Sequence, residues 1–257
     1  MDVICVLPAR LRSTRISSKL LLRIAGRPLI EWAWRAASRV AGFDRIIVAT
    51  DSPEIERLVR GFDAEVMLTR QDHATGTDRA EEVATRLGVA EDDIVVNFQA
   101  DEPFVDARTV EAAVRALDRA ESAPDVSTLA APIQSEDEWR SPGVVKVARA
   151  PGGRALYFSR SPIPHPRDRE PDFSEDVGSD GAAFLRHIGV YACRRSVLRR
   201  WSDLPESELE SIERLEQLRA LEAGMRIHVE VGPPTGPGID VPADIGRAER
   251  ILVTASH

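Results

Sequence analysis

Apolar runs and polar loops alternate regularly along the first half of the chain. Four short apolar runs, at residues 3–7, 45–50, 65–68 and 93–99, have the length and composition of buried parallel strands. Between them, residues 28–37, the segment opened by Asp51-Ser52-Pro53-Glu54, and residues 77–87 have helical patterns with capping residues at or near their starts. This alternation predicts an α/β fold with a mostly parallel sheet.

The pattern changes after residue 125 to shorter strand-like runs that do not continue the strand–helix repeat. They cover residues 127–130, 143–149, 155–159 and 184–191. We expect a core at residues 1–125, a β-rich elaboration at 126–205, and elements that complete the core at 206–257. In the last part, residues 206–223 predict one amphipathic helix, 227–231 a strand and 243–253 a closing helix. The apolar stripe of the first helix comprises Leu209, Ile212, Leu215, Leu218 and Leu221.

The composition narrows the classes of ligand. The chain has 257 residues, 43% hydrophobic content and a net charge of −8, which favours a globular protein with a small ligand and argues against nonspecific nucleic-acid binding. No run approaches the roughly 20 apolar residues of a membrane span, and the first residues lack the pattern of a signal peptide. We therefore expect no membrane partner and a cytoplasmic location. Cys5 and Cys193 are expected to be buried apolar residues rather than zinc ligands.

Four cations lie in the loop after the first predicted strand: Arg10, Arg12, Arg15 and Lys19. Ligands of open parallel sheets bind at the carboxyl ends of the strands, so this cluster predicts a polyphosphate site. Only Lys19 and Lys146 of the 34 basic residues are lysine. This choice suggests that both positions need a compact ammonium group rather than a guanidinium fork.

The loop after the third strand also has features of a ligand site. Gly76 permits close approach of the backbone, and Thr75 or Thr77 can cap the helix that follows. The N-terminus of that helix favours negative charge. The loop therefore predicts a second contact region for an anionic ligand.

A pair of carboxylates, Asp101 and Glu102, follows the fourth strand. Hard oxygen ligands at this point suit Mg²⁺, which takes one or two protein carboxylates together with substrate phosphates and water. Asp240, in a turn rich in glycine and proline near the C-terminus, is a second candidate ligand.

Ordered motifs along the whole chain resemble one enzyme family. The motifs are Pro8-Ala9-Arg10, Ser13-Thr14-Arg15, Lys19, Asp72-His73 with Thr75-Gly76-Thr77, Gln99-Ala100-Asp101-Glu102-Pro103, Tyr157-Phe158-Ser159-Arg160, Arg186-His187-Ile188-Gly189-Val190-Tyr191 and Leu215-Glu216-Gln217-Leu218-Arg219. Together they resemble the 3-deoxy-manno-octulosonate cytidylyltransferases. The first motif is shared by many sugar nucleotidyltransferases, whereas Phe-Ser-Arg and Arg-His-x-Gly-x-Tyr are more specific.

The resemblance implies a nucleotidyltransferase-type three-layer α/β/α fold with a mostly parallel sheet. Residues 1–125 would bind the nucleotide, and the β-rich residues 126–205 would bind the acceptor and form a homodimer. It implies transfer of CMP from CTP to the anomeric hydroxyl of 3-deoxy-D-manno-octulosonate (KDO), with Mg²⁺ as cofactor. The products would be pyrophosphate and a precursor of lipopolysaccharide.

The resemblance also assigns roles residue by residue. It implies catalytic roles for Arg10, Lys19 and Asp101, and metal binding by Asp101 and Asp240. The nucleotide-binding residues would be Leu7, Pro8, Ala9, Arg10, Arg15, Lys19, Arg70, Thr75, Gly76 and Asp101. The acceptor-binding residues would be Gln99, Arg160, His187, Tyr191, Glu216 and Gln217.

The residue types fit this chemistry on physical grounds. Attack of a sugar hydroxyl on the α-phosphorus of CTP requires neutralisation of charge on the phosphates and on departing pyrophosphate, which cations and Mg²⁺ supply. A covalent nucleophile is not needed. An acidic acceptor needs a cation outside the phosphate loop, so we expect Arg160, with His187 as a donor, to face its carboxylate.

Two residues depart from the family pattern, and other functions remain open. Ser18 and Ala100 stand where related sequences have glycine, so loop conformation, affinity or acceptor identity is expected to differ. The main alternative is cytidylyl transfer to another acid: an 8-amino KDO analogue, a sialic-acid-like sugar or a phosphonate. A catalytically silent homologue would lack Lys19 or the metal carboxylates. A dinucleotide-binding oxidoreductase would need a glycine-rich turn after the first strand, where this chain has Leu-Pro-Ala-Arg.

Overall fold

The computed structural model describes residues 1–11, 18–118, 123–168, 170–173, 183–236, 238–239 and 242–255. The strands of this part are β1 (Val3–Ala9), β2 (Arg23–Ile24), β3 (Arg27–Pro28), β4 (Arg45–Thr50), β5 (Glu65–Leu68), β6 (Ile94–Phe98), β7 (Val126–Pro132), β8 (Lys146–Arg149), β9 (Ala155–Ser159), β10 (Leu185–Arg194) and β11 (Ile227–Val231). The helices are α1 (Leu29–Ala37), α2 (Pro53–Arg60), α3 (Gly76–Leu87), α4 (Ala107–Ala116), α5 (Glu136–Arg140), α6 (Arg195–Ser202), α7 (Glu208–Glu213), α8 (Gln217–Glu222) and α9 (Pro242–Ala255). A 3₁₀ turn covers Lys19–Leu21.

One mixed sheet organises the described residues. Its strand order is β11-β7-β10-β6-β1-β4-β5, and the hairpin β8–β9 is attached to it through β10. Strand β1 pairs in parallel with both β4 and β6, whereas β10 is antiparallel to β6 and β7. The chain therefore proceeds from β1 to β4 and β5 on one side, and β6 lies on the other side. A crevice for ligands forms where strand order reverses in this way, next to the carboxyl ends of β1 and β6.

Helices cover both faces of the sheet, because alternate residues of the central strands point into two separate cores. Cys5, Leu7 and Ala9 of β1 belong to a core with α1, α2 and α4. Ile4 and Val6 of the same strand belong to a second core with α3, α6 and α8. This arrangement confirms the predicted three-layer α/β/α architecture, since a strand buried on both faces reads as a continuous apolar run.

Local signals set several helix starts as predicted. Ser52 accepts hydrogen bonds from the amides of Glu54 and Ile55 at the start of α2. At the start of α3, Thr75 and Asp78 form a capping box. The sequence therefore predicted these starts to within one residue.

The C-terminal helical region differs from the prediction. The single helix expected at 206–223 is two helices, α7 and α8, because Arg214 adopts a left-handed backbone conformation with φ of 55°. The expected buried stripe is also wrong at Ile212, which is 69% exposed. Hydrophobic periodicity alone could not reveal this corner between α7 and α8, since the sequence there contains neither glycine nor proline.

The predicted β-rich elaboration does not form a separate sheet. Strands β7 and β10 lie within the main sheet between β11 and β6, and the hairpin β8–β9 of this region is attached to the sheet beside β10. The predicted boundaries at 125 and 205 therefore divide the chain, but the segments on either side share one sheet. The assignment of separate functions to these segments stays a prediction.

Cys5 and Cys193 are buried, as expected, and burial raises the pKa of both thiols, that of Cys193 to about 12. Among the residues that the structure describes, no helix is both long enough and apolar enough to span a lipid bilayer.

Candidate active site

The predicted phosphate loop starts where β1 ends. Leu7 and Ala9 are fully buried in the core beside α1, so their side chains fill the core and only their backbone can border a ligand. Arg10, the next residue, is exposed. Arg15 lies outside the described residues, and its predicted role in nucleotide binding stays a prediction.

An ion pair joins this loop to the end of β6. Lys19 Nζ lies 2.7 Å from Asp101 Oδ2, and their side chains are 8% and 30% exposed. The structure thus brings together the lysine predicted to hold phosphate and the carboxylate predicted to hold metal. A cation beside an anion at the mouth of the crevice can serve both a phosphate and a metal ion, since phosphate attracts the first and Mg²⁺ the second.

The two positions that lack the family's glycine differ in effect. Ser18 has φ of 54° and ψ of 33°, in the left-handed region that favours glycine. Its side chain is therefore held at a backbone cost just before Lys19. Ala100 is 3% exposed and packs in the core. The expected effect of this methyl group on loop conformation, affinity or acceptor identity stays a prediction.

The start of α3 lies against the end of β1. A Cβ atom on Gly76 would lie 3.5 Å from Pro8 Cγ and 3.6 Å from Asn97 Nδ2, so the backbone there approaches both strands closely. Thr75, the residue before it, caps α3. The predicted nucleotide-binding residues Pro8, Thr75 and Gly76 are therefore neighbours.

Glu82 anchors the loop that leads to α3, and sequence analysis missed it. Its Oε2 accepts a hydrogen bond of 2.9 Å from the amide of Arg70 and lies 2.5 Å from His73 Nε2. Burial alone would raise the pKa of Glu82, but the hydrogen bonds from Arg70, His73 and Arg86 lower it. The Arg70 side chain is exposed and bonds Asp72 at 3.0 Å. No pattern near Arg70 or His73 in the sequence identifies Glu82, because it lies nine or more residues further along the chain, within α3.

Gly189 is the second residue that the sequence analysis left without a role. A Cβ atom there would lie 2.2 Å from Gln99 Oε1, so only glycine lets the Gln99 side chain rest on β10. The backbone amide of Gln99 donates to Gly189 O at 2.9 Å, and the backbone amide of Gly189 donates to Glu102 Oε1 at 3.1 Å. The glycine of the Arg-His-x-Gly-x-Tyr motif therefore positions the predicted acceptor-binding glutamine.

His187 is neutral and cannot act as the expected donor to a carboxylate. Burial, together with the positive charge of Arg186, lowers its pKa to about 3. The Thr128 hydroxyl donates its proton to Val190 O at 2.7 Å, so at 2.9 Å from His187 Nε2 it must accept. The imidazole therefore carries its proton on Nε2, and Nδ1 is a hydrogen-bond acceptor. This state suits a sugar hydroxyl rather than an anion.

A buried polar cluster connects the start of α3 with residues predicted to bind the acceptor. Tyr191 OH donates to Gln217 Oε1 at 3.1 Å, and Asn97, opposite Tyr191 in the sheet, donates to Thr77 Oγ1 at 3.4 Å. Within the described residues, three buried atoms of this cluster have no hydrogen-bond partner: Glu216 Oε1, Gln217 Nε2 and Asn97 Oδ1. Both donor and acceptor capacity remain, as a ligand with several hydroxyl groups requires.

Glu216 lies at the corner between α7 and α8 and has an unusual acidity. Burial raises the pKa of its carboxyl group to about 7, against the opposing effect of hydrogen bonds from Thr77 and Thr75. Thr75 is also the cap of α3 on the nucleoside side. The Glu216 carboxyl group therefore interacts with two threonines at the start of α3.

Arg160 holds the same corner through its guanidinium group. It donates to the carbonyl oxygens of Glu213, Pro142 and Arg214 at 2.7, 2.9 and 3.4 Å, and its amide donates to Glu213 Oε2 at 2.9 Å. The predicted contact with an acceptor carboxylate stays a prediction. The structure adds a role that the sequence did not indicate, namely the attachment of the β9 end to the α7–α8 corner.

The fold and this crevice define a nucleotidyltransferase of the α/β type. The chain superimposes with a TM-score of 0.84 on the structure of a CMP:2-keto-3-deoxy-manno-octonic acid synthetase complexed with CTP, at 40% identity over 99% of this chain and 100% of that one. It shares only the fold with a 4-diphosphocytidyl-2C-methyl-D-erythritol synthase, at a TM-score of 0.60 and 14% identity over 98% of each chain.

The sequence comparisons give the family. The cytidylyltransferase family model matches residues 4–227. The 3-deoxy-manno-octulosonate cytidylyltransferases of Syntrophobacter fumaroxidans and Methylococcus capsulatus are 45% and 47% identical, each over 98% of this chain and 97% of their own length. The chain belongs to the 3-deoxy-manno-octulosonate cytidylyltransferase family, as its motifs predicted.

Proposed function

We propose that the protein transfers CMP from CTP to the anomeric hydroxyl of KDO and releases pyrophosphate, in the synthesis of a lipopolysaccharide precursor. The observation that carries the proposal is the contact of Lys19 with Asp101 at the switch point of the sheet. It joins a phosphate-binding cation to a carboxylate at the point where this fold binds ligands. The names of the curated relatives support the choice of CTP and KDO.

The nucleotide half works by position and charge. Arg10 and Lys19 would bind the phosphates and balance the charge that develops on pyrophosphate as the bond to the α-phosphorus breaks. The start of α3 would lie beside the nucleotide, since Gly76 lies against Pro8 at the end of β1 and the helix N-terminus favours the negative charge of the phosphates. The acceptor hydroxyl is itself the nucleophile.

Mg²⁺ fits the residues at the end of β6. Asp101 supplies a hard, partly exposed carboxylate oxygen beside the phosphate loop, which matches the usual mode of one or two carboxylates with substrate phosphates. When bound, the metal ion would supply charge neutralisation on the transferring phosphate. Asp240, the second predicted ligand, lies outside the described residues, so its participation rests on the family resemblance.

The acceptor half is built for hydroxyl groups. Neutral His187 offers an acceptor atom. Gln217, which accepts from the Tyr191 hydroxyl, and Glu216 offer amide and carboxyl atoms, and Gln99 adds a side-chain amide beside Gly189. Arg160 would supply the positive charge that an acidic sugar requires. A polyhydroxylated acid therefore fits this half better than a short phosphonate, which has few hydroxyl groups.

Pyrophosphate release tests the proposal directly. CTP, UTP, ATP and GTP should each be combined with KDO, its 8-amino analogue, a sialic acid and a 2-aminoalkylphosphonate, with and without Mg²⁺. We expect turnover with CTP, KDO and Mg²⁺, and loss of most of it in Asp101→Asn with the fold unchanged by circular dichroism. Preference for another acid would leave a cytidylyltransferase with a different acceptor. Absence of release with every acid, or full activity of Asp101→Asn at limiting Mg²⁺, would contradict the proposal.

We also propose a cytoplasmic homodimer, as the family resemblance implies. Leu156 on β9 is 50% exposed, and among the described strands β9 pairs only with β8. An exposed apolar side chain on an edge strand suits a subunit contact. Light scattering should give twice the chain mass, and Leu156→Lys should reduce it toward one chain. A wild-type monomer at micromolar concentration would contradict the homodimer.

A further inference from the structure

Lys146 is buried where lysine is rarely found. It is the second of two lysines in the chain, and its side chain is 0% exposed at the start of β8. Its ammonium group donates three hydrogen bonds to backbone carbonyls: to Ser141 O at 2.8 Å, to Val144 O at 2.7 Å and to Arg160 O at 2.5 Å. The described structure thus gives this cation carbonyl oxygens as its partners.

The geometry explains why lysine occupies this position in an arginine-rich chain. An ammonium group has three N–H donors around one nitrogen atom, and here three carbonyl oxygens surround that atom. A guanidinium group is planar, carries five donors in a fixed fork and needs more space. Arginine at position 146 could not satisfy the same three carbonyls from one point.

The three carbonyls belong to two segments that meet beside the predicted acceptor site. Between Ser141 and Val144, Pro142 O accepts a hydrogen bond of 2.9 Å from the guanidinium group of Arg160. Lys146 and Arg160 therefore hold loop 141–144 from two sides. The Arg160 amide is bonded in turn to Glu213 at the α7–α8 corner.

We infer that Lys146 is a positioning residue of the acceptor site, whose ammonium group fixes loop 141–144 and the backbone of Arg160. Through these contacts it sets the direction of the Arg160 guanidinium group without touching a substrate. The inference rests on the proposed function, because it takes Arg160 to face the acceptor. It also explains why a charged group is retained in a buried position that an apolar residue could fill.

The charges around Lys146 make its state sensitive to pH. Burial and the nearby charge of Arg160 lower the pKa of Lys146, and Glu213 on α7 opposes them, so that the pKa is about 8. Arg186 on β10 lies opposite Lys146 in the β8–β10 pair and is a second cation beside it. A neutral amine has only two N–H donors, so deprotonation leaves one of the three carbonyls without its bond.

The variant Lys146→Met tests the inference, because methionine is a long unbranched side chain that lacks the three donors. The KM for the acceptor should rise about tenfold or more, while the Kd for CTP measured by calorimetry should stay within about twofold. The matched control is Arg195→Met, which removes another buried cation, paired with Glu81 at 2.7 Å on the α3–α6 side. It should lower the free energy of unfolding but leave the acceptor KM unchanged.

Hydrogen exchange in the ligand-free protein gives a readout that needs no activity. Amides at 143–145 and 160–161 should exchange faster in Lys146→Met than in wild type or Arg195→Met. Faster exchange with an unchanged acceptor KM would overturn the positioning role, and so would equal losses of affinity for CTP and acceptor. If CTP and KDO are not substrates, the proposed function fails, and the exchange result alone decides whether Lys146 holds this loop.

The wild-type pH profile covers the case in which Lys146→Met does not fold. Acceptor KM should rise as pH passes the Lys146 pKa of about 8, while the Kd for CTP stays flat over the same range. An acceptor KM that is constant to about pH 9.5 would overturn the inference, because three donors would then not be required.

Discussion

Replacing Glu216 by glutamine should stabilise the protein at neutral pH while weakening acceptor binding. The change keeps the size of the side chain and removes its ionisation. In the folded protein burial raises the Glu216 pKa from 4.5 to about 7, so folding favours the protonated form. The gap between the two values corresponds to about 3 kcal/mol, at about 1.4 kcal/mol for each pH unit.

Proton binding determines whether the stability of the wild type rises or falls with pH. Between the two pKa values the native state holds a proton that the unfolded state has released, so the free energy of unfolding of the wild type falls as pH rises. Glutamine has no such dependence. The stability of Glu216→Gln minus that of wild type should therefore grow from near zero at about pH 4.5 to about 3 kcal/mol above about pH 7, and then level off.

Urea unfolding of both proteins at several pH values measures this difference directly, and the shared titrations of all other groups cancel. The control is Glu210→Gln, since Glu210 is buried in a two-bond contact with Arg219. That substitution leaves a buried cation without its anion and should destabilise the protein. If Glu216→Gln instead lowers stability by the same amount at every pH, the carboxyl group is not held in the protonated form, and the reasoning is refuted. Acceptor KM should rise about tenfold in Glu216→Gln.

Substitutions at three further positions test the rest of the site. Lys19→Ala should reduce kcat/KM by about ten- to a hundredfold, and Lys19→Arg should not restore it. Steady-state kinetics measures both variants, with Arg60→Ala, at an exposed position, as the control. Wild-type kcat/KM in both Lys19 variants, as in the control, would contradict the prediction. Arg160→Ala should weaken acceptor binding by about ten- to a hundredfold and leave CTP binding by calorimetry near wild type, whereas loss of CTP binding alone would show that the site halves are misassigned. Gly189→Ala places a Cβ atom 2.2 Å from Gln99 Oε1, so acceptor KM should rise with circular dichroism unchanged; an unaltered KM would exclude Gln99 from acceptor binding.

The elements of the nucleotide half were predictable because their signals are local. Strands β1, β4, β5 and β6 are short apolar runs, buried on both faces when they are central. Thr75 caps α3 through bonds to a residue three positions away. The ends of these strands carry Arg10, Lys19 and Asp101, and the sheet topology brings the ends together. Sequence reasoning could therefore name these residues before their contacts were known.

The acceptor half depended on contacts between distant segments. The neutral state of His187 follows from its burial, and its tautomer follows from Thr128, 59 residues away in sequence. The corner at Arg214 has no glycine or proline to announce it, and it is held by Arg160, 54 residues away. Hydrophobic periodicity shows which face of a helix or strand is apolar, but it does not predict hydrogen bonds between two distant loops.

The sequence by itself determined the layered fold, the family, and the types of side chain around the crevice, because apolar periodicity, capping and motif order are written in neighbouring residues. Only the tertiary structure decided the state of those side chains. Lys146 appears in the sequence as an unusual lysine, but its three carbonyl partners come from two separate segments. Glu216 appears as one glutamate among many, and burial raises its pKa to about 7. Burial and hydrogen bonding set protonation, and both arise only when distant segments pack together.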